Sequence, residues 1–195
     1  MKIRLLLAPC LAAALLLAAL TPTAPAAPAG AATKACSASG LVVWAGEEPG
    51  GGTAGSVYYR IEFTNLSTAT CSIAGYPKVN AVNLKGGRIG AFAAHETGKA
   101  AKKVTLAPGQ TAMAQLRIVD ALNFPADKCK ATTAAGLRVA IPGGSGNKIA
   151  PLPFETCVRA TTKTLSVAPC RRPSAPTDRG VPRNPGGGCL VVGGP

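Results

Sequence analysis

Cysteine spacing is the tightest constraint on what this chain can fold into. Behind an apolar leader come Cys36, Cys71, Cys129, Cys157, Cys170 and Cys189, no two closer than thirteen positions, and His95 is the only imidazole. Zinc sites are built from closely paired ligands with His partners, so no metal centre is expected. An even set of cysteines in an exported chain reads instead as a disulfide framework. Six cysteines leave fifteen pairings open. The pairing expected is Cys36–Cys71 and Cys129–Cys157 in the core, with Cys170–Cys189 tying back the tail. On the chain-entropy model each core bridge adds about 3–4 kcal/mol, which together rivals the net stability of a domain, typically about 5–15 kcal/mol.

The leader has the anatomy of an export signal. Lys2 and Arg4 form a basic start, Leu5 to Leu20 is apolar apart from Pro9, and small residues follow. Ala24-Pro25-Ala26 offers cleavage between 26 and 27, and Ala27-Pro28-Ala29 offers it between 29 and 30. Residues 1–30 are therefore read as a signal peptide that removes Cys10. A retained anchor needs about 20 apolar residues and no cleavage site, so no transmembrane anchor is expected. The mature protein is expected to be secreted and extracellular, with the cell wall as one place it can rest. Residues 31–170 are enough for one domain with one core. Residues 171–195 carry five Pro and six Gly and read as a basic disordered tail.

Within the domain the apolar positions alternate in twos. In Val57-Tyr58-Tyr59-Arg60-Ile61-Glu62-Phe63 the odd positions are apolar and Arg60 and Glu62 face the other way, the pattern of a half-buried strand. Leu116 and Ile118, Leu137, Val139 and Ile141, Val104 and Leu106, and Leu165 and Val167 repeat it; Leu41–Trp44 and Lys78–Leu84 are further strands. Lys85-Gly86-Gly87-Arg88 reads as a hairpin with a two-residue Gly-Gly turn, and Pro108-Gly109 as a type II turn. Ala-rich 91–101 and 131–135 are expected to be loops, or at most one short helix. Seven to nine short strands with frequent turns and buried disulfides describe an all-β fold, an antiparallel β-sandwich.

Several words in this core are familiar. Phe63-Thr64-Asn65 precedes Cys71-Ser72-Ile73-Ala74-Gly75-Tyr76-Pro77-Lys78-Val79, and Leu106-Ala107-Pro108-Gly109 follows; later come Cys129, Leu137-Arg138-Val139, Cys157 and Leu165-Ser166-Val167-Ala168-Pro169. From about Cys36 to Pro169 the chain resembles the exported actinobacterial family catalogued as domain of unknown function 4232. That resemblance implies an immunoglobulin-like sandwich, disulfide-stabilised, in a secreted or envelope-associated protein, and brings no catalytic residues. The words also read physically. Gly75 allows a left-handed turn and Pro77 fixes the exit into the next strand. Tyr76 is expected to lay its ring on the core with its hydroxyl bonded to backbone, and Asn65 to close a turn through its side chain.

Catalytic motifs do not hold up. Gly50-Gly51-Gly52-Thr53-Ala54-Gly55 matches G-x-G-x-x-G, but a dinucleotide site needs that loop between a strand and a helix. Here Glu47-Glu48-Pro49 precedes it and a strand follows, so it reads as an inter-strand loop. Gly143-Gly144-Ser145-Gly146-Asn147 misses the nucleophile-elbow pattern. Glu47 and Glu48 are neighbours that would point to opposite faces of a strand, and nothing in the spacing brings Glu96 to Asp120. No enzyme activity and no cofactor are expected.

Charge is the stronger signal. Setting aside Lys2 and Arg4 leaves nineteen basic residues against eight acidic ones, a net +11. Lys99, Lys102 and Lys103 cluster before one strand, Lys128 and Lys130 flank Cys129, and Arg171, Arg172, Arg179 and Arg183 populate the tail. Such a surface attracts polyanions, and the expected partners are anionic cell-envelope polymers or an extracellular protein; positive charge that simply keeps the protein soluble is the alternative. No recognition motif accompanies the charge, so specific nucleic-acid binding is not expected. Trp44, Tyr58 and Tyr76 are the candidate ligand contacts. A monomeric binding module is the expected function, and a secreted protease inhibitor presenting a loop near Lys128–Lys130 or Gly46–Gly55 is the second.

Overall fold

A computed structural model describes residues 32–173; the leader expected to be a signal peptide, most of the segment expected to be a tail, and the expected Cys170–Cys189 pairing lie outside the described residues. Within them run β1 (Leu41–Thr53), β2 (Ser56–Asn65), β3 (Cys71–Ala74), β4 (Val79–Val82), β5 (Arg88–Phe92), β6 (Ala94–His95), β7 (Lys103–Leu106), β8 (Thr111–Val119), β9 (Ala131–Ala140), β10 (Asn147–Cys157) and β11 (Leu165–Val167). The single α-helical segment among them is the turn Ala126–Cys129. A five-stranded sheet has the order β1-β2-β8-β11-β6, a four-stranded sheet β10-β9-β4-β5, and β3 pairs with β7. All pairs are antiparallel except β11–β6. The all-β antiparallel sandwich expected from the period-two runs is the fold observed, although eleven strands exceed the seven to nine expected.

One core joins the sheets. Ile61 and Phe63 of β2 and Leu116 of β8 meet Val79 and Ala81 of β4 and Leu137 and Val139 of β9, all fully buried. The alternation read from sequence decides which face of each strand enters this core: Arg60 and Glu62 turn outward while their neighbours turn in. Both expected core disulfides form, Cys36–Cys71 across 35 positions and Cys129–Cys157 across 28. Cys170 has no disulfide to another described residue.

The turns show where local sequence is decisive and where it is overruled. At Pro108-Gly109 the type II turn is present: Gly109 has φ +78° and Gln110 N–H donates to the Ala107 carbonyl at 3.0 Å. Gly75 has φ +92°, and its carbonyl accepts from Cys170 N–H at 3.0 Å. The Gly-Gly hairpin is corrected. The β4–β5 connection is Asn83–Gly87, closed by the Asn83 side chain, whose Oδ1 accepts from the N–H groups of Lys85 and Gly87. A side-chain acceptor that mimics backbone thus sets a longer loop than the glycines suggest.

Two further expectations are overturned. Residues 131–135 are not a loop; they open β9, paired to β10 at Ala131↔Cys157 through Ala134↔Phe154. Residues 91–95 fall largely in β5 and β6. Ala favours helix in isolation, but a small side chain also fits a sheet interior, and Ala134 is fully buried. Nor is 50–55 an open loop. β1 runs through Thr53, with a register shift between Glu47 and Gly52, and Ala54-Gly55 forms the turn.

Candidate anion-binding site

Sequence places Lys99, Lys102 and Lys103 some seventy positions from Arg171 and Arg172, and the fold brings the two groups to one cavity. β3 forms its frame. Ala74, at the end of β3, is paired with Lys103, at the start of β7, and Gly75, next in the chain, is the residue that accepts from Cys170. Arg171 then exchanges two backbone hydrogen bonds with Met113 of β8, each 2.8 Å, and an Arg172 guanidinium nitrogen lies 3.3 Å from the Thr105 carbonyl. The result is a cavity of about 590 Å³ lined by Lys99, Lys102, Lys103, Arg171 and Arg172 around an apolar floor of Val104, Ala168, Pro169 and Cys170. Among the described residues, no acidic side chain lines it. Glu96 stands just behind, paired to Lys99 at 2.9 Å.

Tyr76 contributes through position. Its ring packs against the core and stacks on His95 with centroids 4.2 Å apart and planes 8° from parallel. Its hydroxyl lies 3.0 Å from the carbonyls of both Glu96 and Lys99 and shares its proton between them. The expected ring-on-core, hydroxyl-to-backbone arrangement therefore also holds the turn that carries Lys99. His95 is exposed, as its Ala-rich context suggests.

The other cationic groups are differently engaged. Lys78 and Arg88 lie over the Phe92 ring, 4.3 and 4.8 Å from its centre, and Arg138 donates to the Gly86 carbonyl at 2.7 Å; these residues line a smaller cavity of about 240 Å³. Lys128 pairs with Asp127 at 3.5 Å. It stands on the helical turn Ala126–Cys129, which Lys130 closes in a left-handed conformation at φ 51°. This turn is helical, and the β1–β2 arm at 46–55 is paired at Gly46–Glu47 and at Gly52–Thr53, with a bulge at 48–51 between them.

Glu47 and Glu48 separate as expected. Glu48 faces outward and accepts from Gln115 Nε2 at 2.7 Å. Glu47 is paired across to Tyr59; burial, and then this carboxylate, push the Tyr59 phenol above its ordinary value. Trp44 is 52% exposed on the outer face of β1, its indole lying so closely over Gly46 that any Cβ there would collide with the ring. Tyr58 is half-buried and lines a separate cavity with Glu48 and Gln115. The three candidate aromatics thus do not converge. Sequence places Arg171 and Arg172 in the tail; the backbone pairing of Arg171 with β8 leaves no local signature.

Cys170, 2% exposed, sits in the floor of the cavity, and burial pushes its thiol up to about 12. Because the folded value exceeds the unfolded value near 9.0, the stability linked to its protonation is complete below about pH 9 and is lost as pH rises toward 12. Wild-type melting temperature is expected to fall over that window, and the Cys170→Ala variant to fall less steeply. Melts at pH 8 and pH 10.5 measure the difference.

This is a disulfide-braced all-β sandwich with a basic, apolar-floored cavity at the junction of β7, β8 and the segment after β11. The chain belongs to the family described as Domain of unknown function (DUF4232), whose profile matches residues 36–171. Its matched region ends at Arg171, on the rim of the cavity. A search of the curated proteins finds no match.

Proposed function

We propose that the mature protein is a secreted, non-catalytic binding module of the cell envelope or extracellular space, and that it captures anionic polymers at the basic cavity. The observation that carries this reading is the convergence of Lys99, Lys102, Lys103, Arg171 and Arg172, from two distant segments, around one cavity with no acid among its described lining residues. Positive charge kept only for solubility has no need to converge. A concave site with one sign of charge focuses its field and raises the local concentration of counter-ions. The leader and the two disulfides are compatible with an oxidising, extracellular setting.

The test uses the oxidised mature protein and short inorganic polyphosphate. Wild type is expected to bind with an affinity that falls as salt rises. Each exposed charge contact contributes roughly 0.2–1 kcal/mol, so Lys102→Gln/Lys103→Gln/Arg172→Gln is expected to weaken binding about tenfold at low salt. A control variant, Lys34→Gln/Lys85→Gln/Lys163→Gln, removes the same charge from exposed positions outside the cavity and is expected to bind nearly as wild type. Equal weakening by both triples would reduce the effect to net charge and overturn the reading.

A further inference from the structure

Beside the basic cavity lies a second one of opposite character, and the two are joined by a single side chain. The second cavity, about 340 Å³, is lined by Glu48, Pro49, Gly50, Gly51, Thr53, Tyr58 and Gln115 on the outer face of the five-stranded sheet. Gln115 belongs to it and also touches the first: its Nε2 donates to Glu48 at 2.7 Å, and its Oε1 lies 3.4 Å from Nζ of Lys99, a wall residue of the basic cavity. Glu48, Gln115, Lys99 and Glu96 therefore form one continuous polar chain along the outer face.

The chemistry of the two cavities is complementary. In the second, Gly50 supplies exposed backbone and Gly51 a half-buried, side-chain-free wall, Tyr58 supplies an aromatic surface, and Glu48, Gln115 and Thr53 supply hydroxyl-bonding groups. An aromatic face beside planar polar side chains suits a sugar ring, whose C–H groups pack on the ring while its hydroxyls bond at the rim. The Glu48 carboxylate repels an anion there, whereas the adjoining cavity attracts one. A uniform polyanion satisfies only one of the two; a chain with a neutral hydroxyl-rich ring next to a charged unit satisfies both.

We infer that the two cavities are adjoining subsites of one site for an anionic glycan, the neutral sugar against Tyr58, Glu48 and Gln115 and the anionic group among Lys99, Lys102, Lys103 and Arg172. This rests on the anion-binding reading above and names the ligand class of the same site. The charged unit is a uronate, whose carboxylate pairs with the cations.

The experiment compares an oligosaccharide of alternating N-acetylhexosamine and uronate with short inorganic polyphosphate, using wild type, Glu48→Ala and Tyr58→Ala. Glu48→Ala is expected to weaken glycan binding several-fold while leaving polyphosphate binding unchanged or tighter; Tyr58→Ala is expected to weaken the glycan alone. Glu48→Ala lies at a partly exposed position and keeps the test open if Tyr58→Ala folds poorly. If removing the Glu48 charge tightens both ligands, only charge is being read and the paired-subsite inference is overturned while anion binding stands. If wild type binds polyphosphate and not the oligosaccharide, the paired-subsite inference is overturned while anion binding stands; if it binds neither probe, both readings fail together.

Discussion

Loss of both described disulfides should leave the domain largely unfolded at 37 °C. The bridges close segments of 35 and 28 positions, and chain entropy assigns each about 4 kcal/mol. Against a typical total of about 5–15 kcal/mol, removing one is expected to lower the melting temperature by roughly 10–20 °C. The architecture makes each bridge more than a clamp on the unfolded chain. Cys36 joins the entry segment to β3, where Cys36 N–H and the Ser72 carbonyl are 2.9 Å apart, so its loss leaves the entry segment held to β3 by hydrogen bonds without a covalent tie. Cys129–Cys157 fastens the helical turn to the end of β10 and forms a small core of its own with Ala121. Melting of Cys36→Ser/Cys71→Ser and Cys129→Ser/Cys157→Ser proteins measures the two separately. A fall of only a degree or two for either pair would show that hydrophobic packing, not the bridge, holds that end.

These bridges were legible because cysteine chemistry is local to the residue, and the period-two strands because burial of one face leaves its mark along the chain. The elements that escaped notice lack such marks for physical reasons. β10 contains Pro151 and Pro153, which cannot donate to a ladder; it is tolerated as an edge strand with a register shift between Pro151 and Phe154. β4 falls inside the strand expected over 78–84 on its β-branched residues; it is buried at all four positions, Val79, Asn80, Ala81 and Val82, so composition marks it and alternation does not. The opening of β9 reads as Ala and Thr until its partner strands are known. The site was legible by half: the lysine cluster is contiguous, but its arginine half arrives through backbone pairing of Arg171 with Met113, which has no side-chain signature. Tyr76 and Asn65 were read correctly because each role follows from one side chain and its immediate turn.

Asn65 carries the last of the large effects expected. It is fully buried at the end of β2, and its side chain is fully committed. Nδ2 donates to the carbonyls of Ala69 and Leu106, each at 2.9 Å, while Oδ1 accepts from Ser67 N–H at 3.0 Å and Ser67 Oγ at 2.7 Å. Its backbone meets the Pro108-Gly109 turn as well: Gly109 N–H donates to its carbonyl and its own N–H donates to Gln110. One residue thus ties the turn after β2, the end of β7 and the type II turn into a single corner. Asn65→Ala strips the buried Leu106 carbonyl of that donor, and the unpaired groups are expected to cost about 2–4 kcal/mol. Ser67→Ala removes one partly exposed bond and should cost about 1 kcal/mol or less. Asn65→Asp separates hydrogen bonding from shape. At neutral pH it turns a carboxylate toward two carbonyl oxygens and should destabilise more than Ala does, because a buried charge facing acceptors is worse than a small void. Such a carboxyl has a folded pKa above its unfolded value, so the deficit should shrink as pH falls toward the unfolded range and the proton restores one donor. Denaturant midpoints for the three variants at pH 4 and pH 7 measure this, and an Asp variant insensitive to pH would mean that the corner is held by packing and not by the amide's donors.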